Sequence, residues 1–330
     1  MRGFEYASPT TKEQAISLLG NNWADADILA GGTDLLALMK DDVIAPKRLV
    51  NIKDIRELRG ITVGKDKSLR IGALVTIQEL IDDPKVRQLF PVISHTATEI
   101  AGPQIRNMGT VGGNLCQRPR CWYYRAGFGL LAKDKTGEPL VPLGDNRYHA
   151  ILGNSGPAFF VSPSTLGTLF TALGGTVQIF GPKGKREVSV EKFFVIPQNE
   201  NEREHDLGPN EIVTEVVLPP LAGTRAASYE VRQKDAMDWP LSLASVAITL
   251  TGNKVRSARV VMGYVAPKPW RSKEAEDALI GKTITEETAK AAGEAAVSGA
   301  KSLGRNAYKI QLARVAVKRA VLAAAGGGAR

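Results

Sequence analysis

Two glycine-rich turns constrain this chain more than any other feature in it. The first, LAGGTDLL at residues 29–36, follows the short apolar run ADILA and opens into LLALMK, a run of strong helix formers. Gly31 and Gly32 permit unusual backbone angles and close approach, and Thr33 and Asp34 are residues that start helices. A turn of this kind leaves backbone N–H groups unpaired at the head of the helix, which suits an anion, and Thr33 adds a hydroxyl. The plain alternative is a tight β–α turn that binds nothing. The second turn, NMGTVGGNL at residues 107–115, carries Gly109, Gly112 and Gly113, which are expected to expose backbone N–H groups again, with Thr110 and Asn114 able to bond phosphate or ribityl oxygens. A dinucleotide has two phosphates, so two such turns on adjacent subdomains predict a clasp around one. Neither turn matches the GxGxxG or GxxxxGK[ST] patterns. GFGLLA (Gly127, Gly129, Ala132) matches the former in letters, but no clear strand precedes it and no long helix follows. GNSGP at residues 153–157 misses the nucleophile pattern GxSxG at its last position, which discounts Ser155.

Composition narrows the classes. At 330 residues the chain is long enough for about two domains. Its 43% hydrophobic and 23% charged residues are ordinary for a globular protein. The net charge of +9 is scattered, with no basic block and no recognised nucleic-acid module, so no nucleic-acid partner is expected. The excess favours an anionic cofactor or partner. No apolar run approaches the roughly 18 residues of a membrane span, and the first residues hold no apolar signal core. The two cysteines, Cys116 and Cys121, argue against a disulfide framework and are too few for a four-cysteine cluster; free thiols are expected. The three histidines stand far apart and no HExxH occurs, so no metal site is expected.

Patterning predicts β–α–β order in the first fifty residues: helix TTKEQAISLLG, strand ADILA, helix TDLLALMK, strand KRLVNI. A hairpin, GITV with LRIGALV, then leads to helices TIQELI and PVISHTATEIAG. Residues 102–125 read as a loop, and 126–160 as a long irregular stretch of the kind that is functional or disordered. The helix STLGTLFTALGG, the strand TVQIFG and the strand EIVTEVVLPP complete this part. A hairpin around GNK and an Ala-rich helical segment from about residue 273 to 325 follow, with GGGAR as a frayed tail. The expected division is a first domain over 1–221, with subdomains of about 1–55 and 56–221 and a long loop at 118–154, then a C-terminal domain over 226–325 and a tail at 326–330.

ILAGGTDLLALMK, LRIGALVTIQEL, IRNMGTVGGNLCQRPRC and GYVAPKPWRSKEAEDALIGK together resemble the FAD-binding medium subunits of the molybdenum hydroxylases, the xanthine dehydrogenase and carbon monoxide dehydrogenase superfamily. The likeness runs from about residue 1 to 320 and is nearest the medium subunit of periplasmic-type aldehyde oxidoreductases, with 4-hydroxybenzoyl-CoA reductase as a relative. It implies an α+β protein with the vanillyl-alcohol-oxidase-type (PCMH) FAD-binding fold in two α+β subdomains. A C-terminal three-stranded antiparallel sheet with helices would follow. FAD would lie extended between the subdomains. Ala30, Gly31, Gly32, Thr33 and Asp34 would hold the pyrophosphate side, with Leu29 and Leu35 alongside. Thr110, Gly112, Gly113 and Asn114 would hold the second face, Ala73 would pack near the flavin and Lys234 would sit by its ring. Arg106, Asn107, Gln117, Ser164 and Ile212 complete the cofactor-binding set the resemblance implies.

The chain departs from the branch at two places. Several relatives hold a 4Fe-4S cluster in the loop after the second glycine turn. Here Arg120-Cys121 and NRYHAILG persist but the other cysteines do not, so no such cluster is expected. The branch's HPSD reads SPST at residues 162–165, which keeps Ser164 and replaces the acid by Thr165. The function implied is an FAD-carrying electron-transfer subunit. Its partners would be a large subunit with the molybdenum cofactor and a small subunit with 2Fe-2S clusters, and its acceptor NAD⁺, oxygen, a quinone or a protein. Two other readings stay open: a standalone flavoprotein with a substrate pocket near Asp235, Asp238 and Trp239, or a scaffold that has lost its cofactor. The cytoplasm is the default compartment, the periplasm the alternative if a partner carries an export signal.

Overall fold

The computed structural model describes residues 1–233 and 238–326. Lys234, Asp235 and all but the first residue of the expected tail lie outside the described residues.

Three sheets organise the chain. The first is parallel: β1 (Glu5–Ala7), β2 (Ala26–Leu29) and β3 (Arg48–Asn51) in the order β1-β3-β2. Parallel pairing requires crossovers, and helices Lys12–Leu18 and Leu35–Lys40 supply them. Thr11 caps the first of these helices by accepting from Gln14 N at 3.2 Å. Ala15, Leu19, Ala26, Val50 and Ile52 form a small core beneath, closed by Leu74 and Ile212 from the next unit.

The second sheet is antiparallel, in the order β4-β5-β8-β6-β7: β4 (Ile61–Val63), β5 (Leu69–Gly72), β6 (Thr176–Gly181), β7 (Gly184–Ser189) and β8 (Ile212–Leu218). Central β8 pairs with strands about 140 residues upstream and about 35 residues upstream, so everything between them is one long excursion. The third sheet runs β12-β11-β10-β9, with β9 (Thr224–Val231), β10 (Ser242–Thr251), β11 (Lys254–Gly263) and β12 (Trp270–Arg271). β9, β10 and β11 are the expected three antiparallel strands, and the two-residue β12 adds a short edge. Helix Tyr308–Ala325 lays Ala313, Ala316, Val317, Ala320, Val321 and Ala324, all fully buried, on this sheet at the three-and-four spacing of a helix face.

Residues 102–125 are not the loop that their glycines suggest. They form three short helices, Pro103–Arg106, Val111–Cys116 and Trp122–Arg125. Thr110 caps the second by accepting from Gly113 N at 3.1 Å, and Gly112 N donates to Ala73 O at 2.9 Å. Glycine in a helix costs about 1 kcal/mol. Here it permits contact, because a Cβ on Gly112 would stand 3.0 Å from both Cβ and O of Ala73.

Residues 126–160 are irregular apart from helix Leu140–Leu143, but they are well anchored. The GFGLLA segment does hold an anion, and it is the chain's own: Leu130 N and Leu131 N donate to the Glu200 carboxylate at 2.7 and 2.9 Å. Further on, the fully buried Lys309 donates through Nζ to the carbonyls of Tyr148 (3.1 Å), His149 (3.2 Å) and Tyr264 (2.7 Å). Asn306 adds bonds to His149 O and Ala150 O. A Lys309→Met chain fills the space but strands the carbonyls of Tyr148 and Tyr264, while His149 O keeps its bond from Asn306, so its urea unfolding free energy is expected to fall by about 2–3 kcal/mol.

Candidate cofactor cleft

The two glycine turns touch backbone to backbone. A Cβ on Gly31 would lie 1.8 Å from Met108 O and 2.6 Å from Met108 C, so only glycine fits. Gly32 takes φ +72°, the left-handed region. Among the described residues, the N–H groups of Gly31, Gly32, Thr33 and Asp34 find no acceptor in the chain. Consecutive unpaired N–H groups of this kind form an anion-binding concavity.

The second turn differs from expectation here. Gly109 N donates to Ile105 O at 2.6 Å, Gly112 N to Ala73 O, and Gly113 N to Thr110 Oγ1. Its glycines serve close packing, and their N–H groups are already used. What this turn offers is side chains. The Asn114 carbonyl oxygen accepts from Ser164 Oγ at 2.9 Å and Leu166 N at 3.2 Å, which leaves its Nδ2 protons to donate.

Asp34 holds the inserted loop against the first turn. Its carboxylate accepts from Arg118 N at 2.8 Å and pairs with Arg125 at 2.7 Å and Arg120 at 3.1 Å. Two guanidinium groups about one carboxylate leave a net positive charge beside the free N–H groups, which favours an anion there.

Behind the turns lies a cleft of about 470 Å³, a size suited to a bound cofactor. Ala30, Gly31, Gly32, Thr33, Asp34, Leu35, Ala73, Thr110, Gly112, Gly113, Asn114, Gln117 and Ile212 all line it. Leu29 packs beside Gly32, and Ser164 stands behind Asn114. Arg106 and Asn107 are turned elsewhere: Arg106 donates to Thr98 O and Ala101 O, and Asn107 to Pro103 O. Lys234 lies outside the described residues.

Two aromatic groups flank the turns, each reached by one arginine of the Asp34 network. Arg120 stacks over Trp239 at 4.5 Å, next to Tyr264 and Thr165. Thr165 Oγ1 sits 2.7 Å from Tyr264 OH, which donates to Pro163 O at 3.0 Å; the Thr165 hydroxyl therefore donates to tyrosine. On the other side Arg118 pairs with Glu204 at 2.9 Å, near His205, Trp23 and Arg203, whose guanidinium stacks on Trp23 at 4.3 Å. Burial pulls His205 down to about 4, so it is neutral at physiological pH, and its Nδ1 has no partner. Sequence reasoning missed Trp23, Asp27, Arg118, Arg203 and Tyr264 as cleft residues. The arginines of QRPRCWYYR were the visible signal for the Asp34 network.

Both cysteines are free. Cys116 lines the cleft with its thiol pushed up to about 12 by burial, which makes it an inert wall residue. Cys121 Sγ lies 3.1 Å from His149 Nε2, beside a smaller cavity. Among the described residues no group of three or more His, Cys, Asp or Glu is placed to hold a metal ion.

Fold and cleft together define an α+β protein with a cofactor-sized cleft behind a turn of unpaired N–H groups. Comparison with known proteins makes this specific. Residues 2–221 match the FAD binding domain in molybdopterin dehydrogenase, and residues 227–324 match the CO dehydrogenase flavoprotein C-terminal domain. The carbon monoxide dehydrogenase medium chain of Hydrogenophaga pseudoflava is 31% identical, over 97% of this chain and 96% of that one. The aldehyde oxidoreductase FAD-binding subunit of Escherichia coli is 32% identical, over 95% and 96%. A solved structure of the Hydrogenophaga pseudoflava enzyme lacking the Mo-pyranopterin moiety superposes with a TM-score of 0.78 at 30% identity, covering 99% of each chain. The chain belongs to the family of FAD-binding medium subunits of molybdenum-dependent dehydrogenases. It is similar to the carbon monoxide dehydrogenase and aldehyde oxidoreductase members to nearly equal degree.

Proposed function

We propose that this chain is the FAD-carrying electron-transfer subunit of a multi-subunit molybdenum-dependent hydroxylase or dehydrogenase. Its electrons come from 2Fe-2S clusters of a small partner, which draws them from a large molybdenum-cofactor subunit. They pass to an external acceptor. The observation that carries the reading is the row of unpaired N–H groups at Gly31–Asp34, set in a cleft of about 470 Å³ under a net positive arginine network.

When bound, FAD supplies reversible two-electron chemistry, and the protein supplies position and electrostatics. The Gly31–Asp34 N–H groups and the Thr33 hydroxyl hold the pyrophosphate, with Leu29, Ala30 and Leu35 packing beside it. Thr110 and Asn114 bind the opposite face, oriented by Gln117 and Ser164. Gly112 and Gly113 let that face approach, and Ala73 and Ile212 form apolar walls. No proton-relay triad is required of such a subunit. Arg106 and Asn107 shape the second turn from outside the cleft. No helix among the described residues is long and apolar enough to cross a membrane, and the compartment follows the partners.

Affinity purification of the tagged chain from its native cells tests this reading. The expected result is co-purification of one large and one small partner, with molybdenum and iron in the complex and FAD in this chain. A chain isolated alone with FAD, and reduced by a substrate of its own, would favour the standalone flavoprotein.

A further inference from the structure

Asp27 has no explained partner. It lies in β2, lines the cleft, and makes no hydrogen bond or ion pair with the described residues. Asp27 is half-buried, with its carboxylate toward the cleft and no protein donor to satisfy it, so a donor on a molecule in the cleft would be its partner. Burial raises its pKa to about 6, so at neutral pH it is an ionised group that can only accept. The charge that bears on it is Arg118, which is committed to Glu204 at 2.9 Å. Nearby, Arg203 is stacked on Trp23. Trp23 and Asp27 line one side of the cleft, an aromatic surface beside a carboxylate without a protein partner.

Resting on the FAD reading, we infer that Asp27 is a specificity residue that accepts a hydrogen bond from the exocyclic amino group of the adenine, with Trp23 as the adjoining aromatic surface. Position favours the amino group over the ribose hydroxyls. Asp27 is four residues up the strand from Gly31, roughly 10–13 Å at the rise of a β-strand. The ribose is attached directly to the phosphates, whereas the amino group is at the far end of the base. A carboxylate facing an amino group is also the pairing that discriminates it from an oxo group, which has only lone pairs to offer.

The test uses the purified full-length chain, stripped of flavin and titrated with FAD or with its hypoxanthine analogue, in which an oxo group replaces the amino group. Wild type is expected to prefer FAD by about 10- to 100-fold, the range for a hydrogen bond to a charged group. In Asp27→Asn the side-chain amide offers N–H to the oxo group, so the preference should vanish or reverse. That variant removes a half-buried carboxylate charge that has no protein partner, so the melting temperature of its apo form should not fall. Equal affinities in wild type, or an undiminished preference in the variant, overturn the inference while leaving the FAD reading intact. Failure of wild type to bind either dinucleotide overturns both.

Discussion

Gly31→Ala is expected to purify with less than about a tenth of the wild-type FAD content, a loss equivalent to about 1.4 kcal/mol or more in affinity. The reason is geometric. The new methyl group would meet the Met108 carbonyl at 1.8 Å, and that obstacle is backbone. Relief requires the two turns to separate by an ångström or more. The Met108 carbonyl belongs to a turn whose Gly109, Gly112 and Gly113 N–H groups are all bonded, so it is held in place. The first turn therefore moves, and its four free N–H groups lose their common aim. Displacements of about 1 Å cost up to 100-fold where geometry is preorganised. Overpacking also lowers stability by about 1–3 kcal/mol. Gly3→Ala, which meets nothing within 4 Å, is the control and should match wild type in flavin content and melting temperature.

Removal of the Asp34 carboxylate should have a larger effect on the fold. Asp34 and Arg125 are each only 16% exposed at the side chain. In Asp34→Ala the Arg118 N–H loses its acceptor, and Arg120 and Arg125 face each other without a counter-charge. Breaking a buried pair on one side costs about 3–5 kcal/mol. Urea unfolding should show that loss, and limited proteolysis should cut first in the loop at 118–154, which this carboxylate ties to the first turn. Asp34→Asn keeps an acceptor for Arg118 N and should fall between. Added FAD should recover part of the loss in both variants, because its phosphates bring negative charge back to the arginines.

The sequence disclosed the site more fully than the path of the chain around it. LAGGTDLL kept strand, turn and helix in strict order, so its role could be read locally. β1 and β7 were not read. β1 is three residues long, and β7, GKREVS, is a polar edge strand with no fully buried residue. Neither carries the alternation of a half-buried strand. Residues 102–125 were read as a loop because three glycines break propensity. Their helices depend on Gly112 reaching Ala73, a contact between residues 39 positions apart. The same contact pairs the Gly112 N–H, and the Gly109 and Gly113 N–H groups are taken locally by Ile105 O and Thr110 Oγ1, so none of these donors is free. Asp27 was passed over because ADILA reads as a buried strand. Its unpaired carboxylate is evident only once the cleft beside β2 is seen.

The absorption spectrum of the purified chain, with flavin quantified after acid release and iron assayed on the same sample, tests the central claim most directly. The account predicts near-stoichiometric FAD and no iron. FAD absent even after reconstitution would contradict it, because the free N–H groups of Gly31–Asp34 and the cleft behind them would then serve some other end. FAD with about four irons per chain would instead overturn the cysteine argument and place a cluster beside Cys121 that other ligands complete.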